Sequence, residues 1–164
     1  MNIRFVTLDD AAQLAEIYNY YIETSHATFE VDTIDAAEMK DRIGETLEKN
    51  YPFFVCEESG EILGYAYGRM FRPRRAYRHS IEVSVYIKNG EEGKGIGTAL
   101  YQKLFAEISQ RDFHVIIAGI SLPNDASVKL HEKFGFEKVA HFREVGFKFG
   151  RWIDVAYWEL LSQR

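Results

Sequence analysis

The chain carries a single cysteine in 164 residues, Cys56, inside the apolar run "FFVC". An internal disulfide is therefore impossible, and no Cys/His group has the spacing of a zinc site. These absences exclude a disulfide framework and a zinc module, and they point to a reducing, cytoplasmic setting with no metal. Cys56 reads as a buried strand residue, not a nucleophile. No apolar run is long enough to span a bilayer, and the opening "MNIRFVTLDD" lacks the apolar stretch of a signal peptide. Positive charge is also in short supply: 20 Lys and Arg against 25 Asp and Glu give a net charge of −5. That balance argues against a general nucleic-acid binder, although it permits a local basic patch. Low-complexity segments, internal repeats and linkers are missing as well.

What remains is ample for one folded domain over residues 1–164, since 46% of the chain is hydrophobic and 15% aromatic. "IRFV" alternates like a short strand. "TLDDAAQLAEIYNYYIE" opens with Thr7 and Asp10 at capping-box-like spacing and sets Leu14, Ile17, Tyr18 and Tyr21 on one helical face. A second, more polar helix is expected from Asp35 to about Lys49. "PFFVCEESGEILGYAYGRMF" reads as two strands around a Glu-Ser-Gly turn. "SIEVSVYIK" is another strand, with Ile81, Val83, Val85 and Ile87 alternating. Leu100, Tyr101, Leu104, Phe105 and Ile108 then define an amphipathic helix, and "HVIIAGIS" a buried strand. In "NDASVKLHEKFG" helical spacing returns, with Leu130 and Phe134 as its core pair and Gly135 as its stop. The tail through "RWIDVAYWELL" is strand-like and aromatic. The order β, α, α, β, β, β, α, β, α, β, β predicts an α+β (mixed α/β) fold on one largely antiparallel sheet.

The densest local signal is "NGEEGKGIGTALY", with Gly90, Gly93, Gly95 and Gly97 in eight positions before helical spacing begins. A triphosphate loop needs Gly, four residues, then Gly-Lys-Ser/Thr. Here Gly95 occupies the hydroxyl position and no glycine stands at the required place upstream, so that reading fails. A dinucleotide fingerprint needs a third glycine where Thr98 stands, and it belongs in an opening βαβ unit. The pattern that survives is strand, glycine turn and helix start, whose successive N–H groups and helix dipole suit a pyrophosphate without metal. A tight turn with no ligand has the same local sequence.

Those residues, the strand before them and the element order resemble the GCN5-related N-acetyltransferase (GNAT) family. Its signature is Gln or Arg, two residues, Gly, one residue, then Gly or Ala, joining the fourth strand to the third helix. Glu92-Gly93-Lys94-Gly95-Ile96-Gly97 matches in its glycines and departs at Glu92. A second hallmark, Asn leading a helix that ends in Gly-Phe, is present in "NDASVKLHEKFGF". The blocks "YIETSHATFE", "RPRRAY", "SIEVSVYI", "SLPNDASVKLHEKFGFE" and "GFKFGRWIDVAYW" are similar, more narrowly, to the phosphinothricin and methionine sulfoximine N-acetyltransferase branch. The resemblance implies about seven strands and four helices, acetyl-CoA as the acyl donor, a small amino-acid-like acceptor and a homodimer. Alternative functions are acetylation of a protein N-terminus or another small amine, or a non-catalytic acyl-CoA sensor.

Acetyl transfer to an amine needs a held cofactor, a neutral amine, a stabilised oxyanion and a protonated thiolate. For the first, the resemblance assigns Gly93, Lys94, Gly95, Ile96, Gly97 and Thr98 to the pyrophosphate. It assigns Val85, Tyr86 and Ile87 to the pantetheine arm, with an N–H near Val85 as oxyanion donor. Asn124, Ser127 and Lys133 complete the cofactor set, and Asn124 also suits a helix cap. Glu82 interrupts an apolar alternation and shares a strand face with Ser84 and Tyr86, so a half-buried carboxylate there is expected to titrate upward and act as base. A solvated outer-face Glu is the bland alternative. His131 stands where many family members have Tyr. By helical spacing it lies with Asn124 and Ser127 away from the core pair, as a proton donor, a substrate or cofactor contact, or a packing residue. Arg72, Arg74, Arg75 and Tyr77 match the branch's acceptor segment, and guanidinium forks suit carboxylate, phosphinate or sulfoximine oxygens. A solvated basic turn is the alternative. Phe29, with Tyr20 and the C-terminal aromatics, is a candidate pocket wall, and those aromatics equally suit a core or a dimer face. His26, His79, His114 and His141 have no partners legible in the sequence.

Overall fold

A computed structural model describes residues 1–162. Eleven principal elements follow one another as β1 (Asn2–Phe5), α1 (Ala11–Thr24), α2 (Ala36–Glu48), β2 (Phe53–Glu58), β3 (Glu61–Met70), β4 (Ser80–Ile87), α3 (Ile96–Ile108), β5 (Val115–Ser121), α4 (Asp125–Lys133), β6 (Glu137–Lys148) and β7 (Arg151–Leu161). Short 3-10 turns occupy Leu8–Asp10 and Arg75–Tyr77. The element order is the one expected from the sequence. The sheet has seven strands in the order β1-β2-β3-β4-β5-β7-β6. Pairing is antiparallel for β1 with β2, β2 with β3, β5 with β7 and β6 with β7, and parallel for β4 with β5.

Two compact units are distinguished: residues 1–20, 34–69 and 83–112 form the first, and residues 21–33, 70–82 and 113–162 lie in the second. In the first, both faces of β2 are covered, and Phe53, Phe54, Val55 and Cys56 are all at most 3% exposed. Leu100, Tyr101 and Leu104 of α3 are fully buried, and Ile96 reaches the β3 face that carries Gly64. On the opposite face Phe53, Tyr65 and Tyr67 stack, and Tyr65 continues to Tyr86 and then Tyr18 of α1. Burying one such large apolar side chain contributes roughly 1.5–3 kcal/mol, which is why a helix face this regular fixes the packing. Burial pushes the Cys56 thiol upward, in keeping with an inert strand residue.

The N-terminal cap is closed as its spacing predicts. Asp10 Oδ2 accepts from Thr7 N at 2.7 Å, and Arg4 grips the same carboxylate through two bonds of 2.8 Å. Burial alone would raise the Asp10 carboxyl, but Arg4 and the Thr7 N–H reverse the effect and hold it below its usual range. Both tight hairpins have positive φ at two successive turn residues, Ser59-Gly60 between β2 and β3 and Phe149-Gly150 between β6 and β7.

In the second unit, β6 and β7 form a long hairpin beside β5, and α4 packs against β5. Helix α4 begins with Asn124 Oδ1 accepting from Ser127 N at 3.1 Å. It ends where predicted, at Gly135 with φ +88°. Gly135 N donates to Glu132 O at 3.0 Å and Phe136 N to His131 O at 3.2 Å, the paired bonds of a Schellman stop. Three expectations need correction. Leu130 and Phe134 are only half-buried, and the buried residue of α4 is His131, at 3% exposure. The cause is Phe136, just past the helix, which turns in and packs edge-on against the imidazole at 5.2 Å. The alternation in β4 is buried at Ile81 and Val83 but relaxes to half-burial from Ser84 through Ile87. Strand β5 buries Ile116, Ala118, Ile120 and Ser121, but Val115 and Ile117 are half-buried and Gly119 is exposed beside the Tyr157 ring, so the strand is only partly buried.

Candidate active site

The glycine turn lies wholly in the first unit. Gly90, Gly93 and Gly95 have φ of +87°, +77° and +82°, a region costing an L-residue roughly 1–2 kcal/mol. A Cβ built on any of the three meets nothing within 4 Å, so their backbone angles, not crowding, call for glycine. Gly95 is the N-cap of α3 and has no side chain to offer, while buried Ile96 pins the first turn beneath it. First-turn N–H groups have no partner within a helix, so Ile96 and Gly97 present donors at an open, side-chain-free surface. The geometry fits a pyrophosphate. Glu92, the residue that departs from the family signature, folds back so that Oε2 accepts from Gly90 N at 2.8 Å. Its role is to brace the turn. Lys94 pairs with Glu91 at 2.9 Å on the exposed rim.

Just upstream, Val85, Tyr86 and Ile87 are half-buried. A side chain on Gly64 would meet Tyr86 O at 2.9 Å and Ile87 Cδ1 at 3.0 Å, so glycine lets β3 lie close along this stretch. Tyr18, Met39, Arg42, Thr46, Phe53, Tyr65 and Tyr67 line a pocket of about 50 Å³ within this unit.

The second unit holds the titratable candidates. Glu82 is half-buried on β4, opposite Ile117 in a parallel register that joins Ser80, Ile81 and Glu82 to Val115, Ile116 and Ile117. His131 Nδ1 lies 2.7 Å from Ser127 O and 3.4 Å from Ser127 Oγ. A carbonyl oxygen can only accept, so Nδ1 carries the hydrogen and Nε2 of the neutral ring carries the lone pair. Burial pulls the His131 imidazole below its ordinary value, and the Ser127 carbonyl only partly opposes this. The ring is thus a neutral proton acceptor at Nε2, and can donate there only after it has taken a proton. Asn124 Oδ1 is committed to its cap, which leaves its amide donors for any ligand. Lys133 is exposed on the last turn.

Arg72, Arg74, Arg75 and Tyr77 are exposed in the segment leading to β4. Tyr77 packs edge-on to Phe71 at 5.7 Å, and the Arg72 guanidinium lies over Phe71 at 4.8 Å. Phe29 is 41% exposed, and its ring lies over Gly146, where a Cβ would come within 2.3 Å of it. Tyr20 is 37% exposed. Partners illegible in the sequence now emerge: His26 Nε2 donates to Pro123 O at 2.9 Å and His26 Nδ1 accepts from Arg151 at 3.1 Å. His141 pairs with Asp154 at 2.7 Å. Lys148, to which the sequence drew no attention, is 3% exposed and donates to Ser25 O and Thr28 O at 2.7 and 2.9 Å. Its signal was absent from the sequence because these bonds span 120 residues or more.

Fold and site together define an acyltransferase of the GNAT type, and the comparisons agree. Residues 3–157 match the acetyltransferase (GNAT) domain, and the chain belongs to that family. It is similar to the phosphinothricin N-acetyltransferase of Streptomyces coelicolor, with 40% identity covering 92% of this chain and 90% of the other. It is also similar to the L-amino acid N-acyltransferase MnaT of Escherichia coli, with 38% identity covering 98% and 93%. Among solved structures, the phosphinothricin acetyltransferase of Sinorhizobium meliloti in complex with acetyl-CoA superposes with a TM-score of 0.94. That match has 35% identity and covers 98% of this chain and 87% of that one. The protein is a GNAT N-acetyltransferase. No helix among the described residues is long and apolar enough to cross a membrane.

Proposed function

We propose that the chain works as a single N-acetyltransferase domain that acetylates the amino group of a small amino-acid-like acceptor such as phosphinothricin or methionine sulfoximine. The carrying observation is the charge of the segment before β4. Between Glu61 and Glu82 there is no acidic residue, and Arg72, Arg74 and Arg75 stand exposed there with Tyr77. Such a surface suits a carboxylate, phosphinate or sulfoximine oxygen, and it repels polyamines and aminoglycosides. The names of the phosphinothricin and L-amino acid transferases similar to this chain point the same way.

In this reading, Gly93 through Thr98 hold the pyrophosphate of acetyl-CoA, and Val85, Tyr86 and Ile87 hold its pantetheine arm. Asn124 (through its amide donors), Ser127 and Lys133 serve the same ligand. Bound acetyl-CoA supplies an activated thioester acetyl group. Glu82 takes the proton from the acceptor ammonium, directly or through water, so that the amine can attack. The Val85 N–H steadies charge on the acyl oxygen. His131 takes at Nε2 the second proton, shed by the acceptor nitrogen as its bond to the acyl carbon forms, and passes it to the sulfur as the C–S bond breaks, so that the thiol leaves neutral.

Thiol release from acetyl-CoA, followed with sulfoximine, phosphinate, polyamine, aminoglycoside and peptide amines, tests the acceptor. Turnover is expected with the first two. Fast turnover confined to polyamines would overturn the reading of the arginines, and turnover confined to peptides would mark an N-terminal acetyltransferase.

We also infer a homodimer working in the cytoplasm. Val139, Phe142, Val145, Phe147, Phe149 and Trp152 are 52–65% exposed along one hairpin whose outer strand, β6, is a sheet edge. A cluster this dense is unlike the single exposed apolar residues of ordinary surfaces. Sedimentation should give twice the chain mass, reduced to one by Trp152→Asp. A monomeric wild type would contradict it.

A further inference from the structure

Lys148 is an anomaly. Strand β6 has only two buried positions, Gly146 and Lys148, and both are covered by the segment Ser25–Phe29. A lysine is seldom buried this deeply unless its ammonium is fully used. Here Nζ donates to the carbonyls of Ser25 and Thr28 and lies 5.0 Å from the Phe149 ring centroid. Burial lowers its proton affinity, and Glu30 works against that. An apolar side chain of similar length would fill the same volume without the desolvation penalty, so packing alone does not explain a lysine.

The ammonium does what a methyl group cannot: it fixes two backbone carbonyls in one segment at once. Three further bonds hold the same stretch. Ser121 Oγ donates to His26 O, His26 Nε2 donates to Pro123 O, and Arg151 donates to His26 Nδ1. Between Ser25 and Thr28 the backbone is therefore clamped from β5, β7 and β6. The next residue is Phe29, whose ring rests on Gly146 with 41% of the residue exposed.

We propose that Lys148 is a positioning residue for the acceptor, holding segment 25–28 so that the open face of Phe29 stands ready as a wall of the amine-substrate site. This rests on the reading of Phe29 as an acceptor contact. Lys148 touches neither cofactor nor reacting atoms, and its effect travels through Phe29.

The test pairs amide hydrogen exchange over residues 25–33 with steady-state kinetics, using whichever acceptor the wild type acetylates. Lys148→Met should accelerate exchange in that segment alone. It should also raise KM for the acceptor about ten- to a hundredfold, as expected for a misplaced substrate wall, and leave KM for acetyl-CoA unchanged. Phe29→Ala should raise acceptor KM similarly, and the double variant should be no worse than the worse single one. Gly146→Ala displaces the ring without touching the lysine, so it should raise acceptor KM with the segment still protected; this variant serves if Lys148→Met does not fold. Faster exchange with an unchanged acceptor KM, unchanged exchange, or fully additive single effects would each overturn the proposal. An unaltered KM in Phe29→Ala alone would remove Phe29 from the acceptor site, and the proposal with it.

Discussion

The glycine turn of the first unit and the Ser25–Phe29 segment of the second are both irregular backbone, yet they are held in opposite ways. The turn is shaped from within. Its positive φ angles, the Glu92 to Gly90 bond and the Lys94–Glu91 pair all lie within a few residues of one another. Ser25–Phe29 has a local bond of its own, Ala27 N donating to Ser25 Oγ at 2.9 Å, but most of its bonds come from without, from Ser121, Pro123, Lys148 and Arg151, 95 to 125 residues away. The difference matches the tasks assigned to them. A pyrophosphate is gripped by backbone donors at an open surface, which needs correct dihedrals and little else. An acceptor wall must present one side chain in one place, which needs a framework around it.

The largest effect expected from breaking one side of this contrast comes at Glu82. Glu82→Gln keeps the shape but removes the proton acceptor, and turnover should fall by roughly 10²- to 10⁴-fold. An unchanged kcat would remove Glu82 from the mechanism. The glycine turn should respond more mildly and in a different constant. Gly95→Ala meets no steric obstacle and carries only the strain of its φ, about 1–2 kcal/mol, so KM for acetyl-CoA should rise about five- to thirtyfold. A loss of kcat with KM unaltered would show that the turn does not act through binding.

A smaller effect, readable as pH dependence, belongs to His131. Burial lowers its folded pKa below the unfolded value of 6.5, so between those two values the unfolded chain binds more protons. The contribution to stability is therefore complete above about pH 6.5 and is lost as pH falls through the folded pKa. Urea midpoints measured down through that window should drop for the wild type and drop less for His131→Gln. Parallel curves would contradict the buried, neutral imidazole.

How much of this was legible in the sequence follows the same division. Interactions that are local in the chain could be read: the Thr7–Asp10 cap, the Gly135 stop, the turn at Ser59-Gly60, and the whole order of elements. The glycine turn was legible for that reason, and Glu92 was not, because its partner is a backbone N–H and not a ligand. Helix α4 shows where periodicity fails. Nine residues that carry Leu130 and His131 side by side, with Phe134 as the C-cap, leave two candidate inner faces, and the choice was made by Phe136, outside the helix. Lys148 and His26 were invisible because a buried cation and a bonded imidazole have the same letters as solvated ones. Their partners are supplied by topology.

The division of labour is tested most directly by the Kd for acetyl-CoA, measured by calorimetry on the wild type, Glu82→Gln and Gly95→Ala side by side. Gly95→Ala should bind about five- to thirtyfold more weakly, and Glu82→Gln should bind as the wild type does. Weakened binding in Glu82→Gln, together with wild-type binding in Gly95→Ala, would contradict the account.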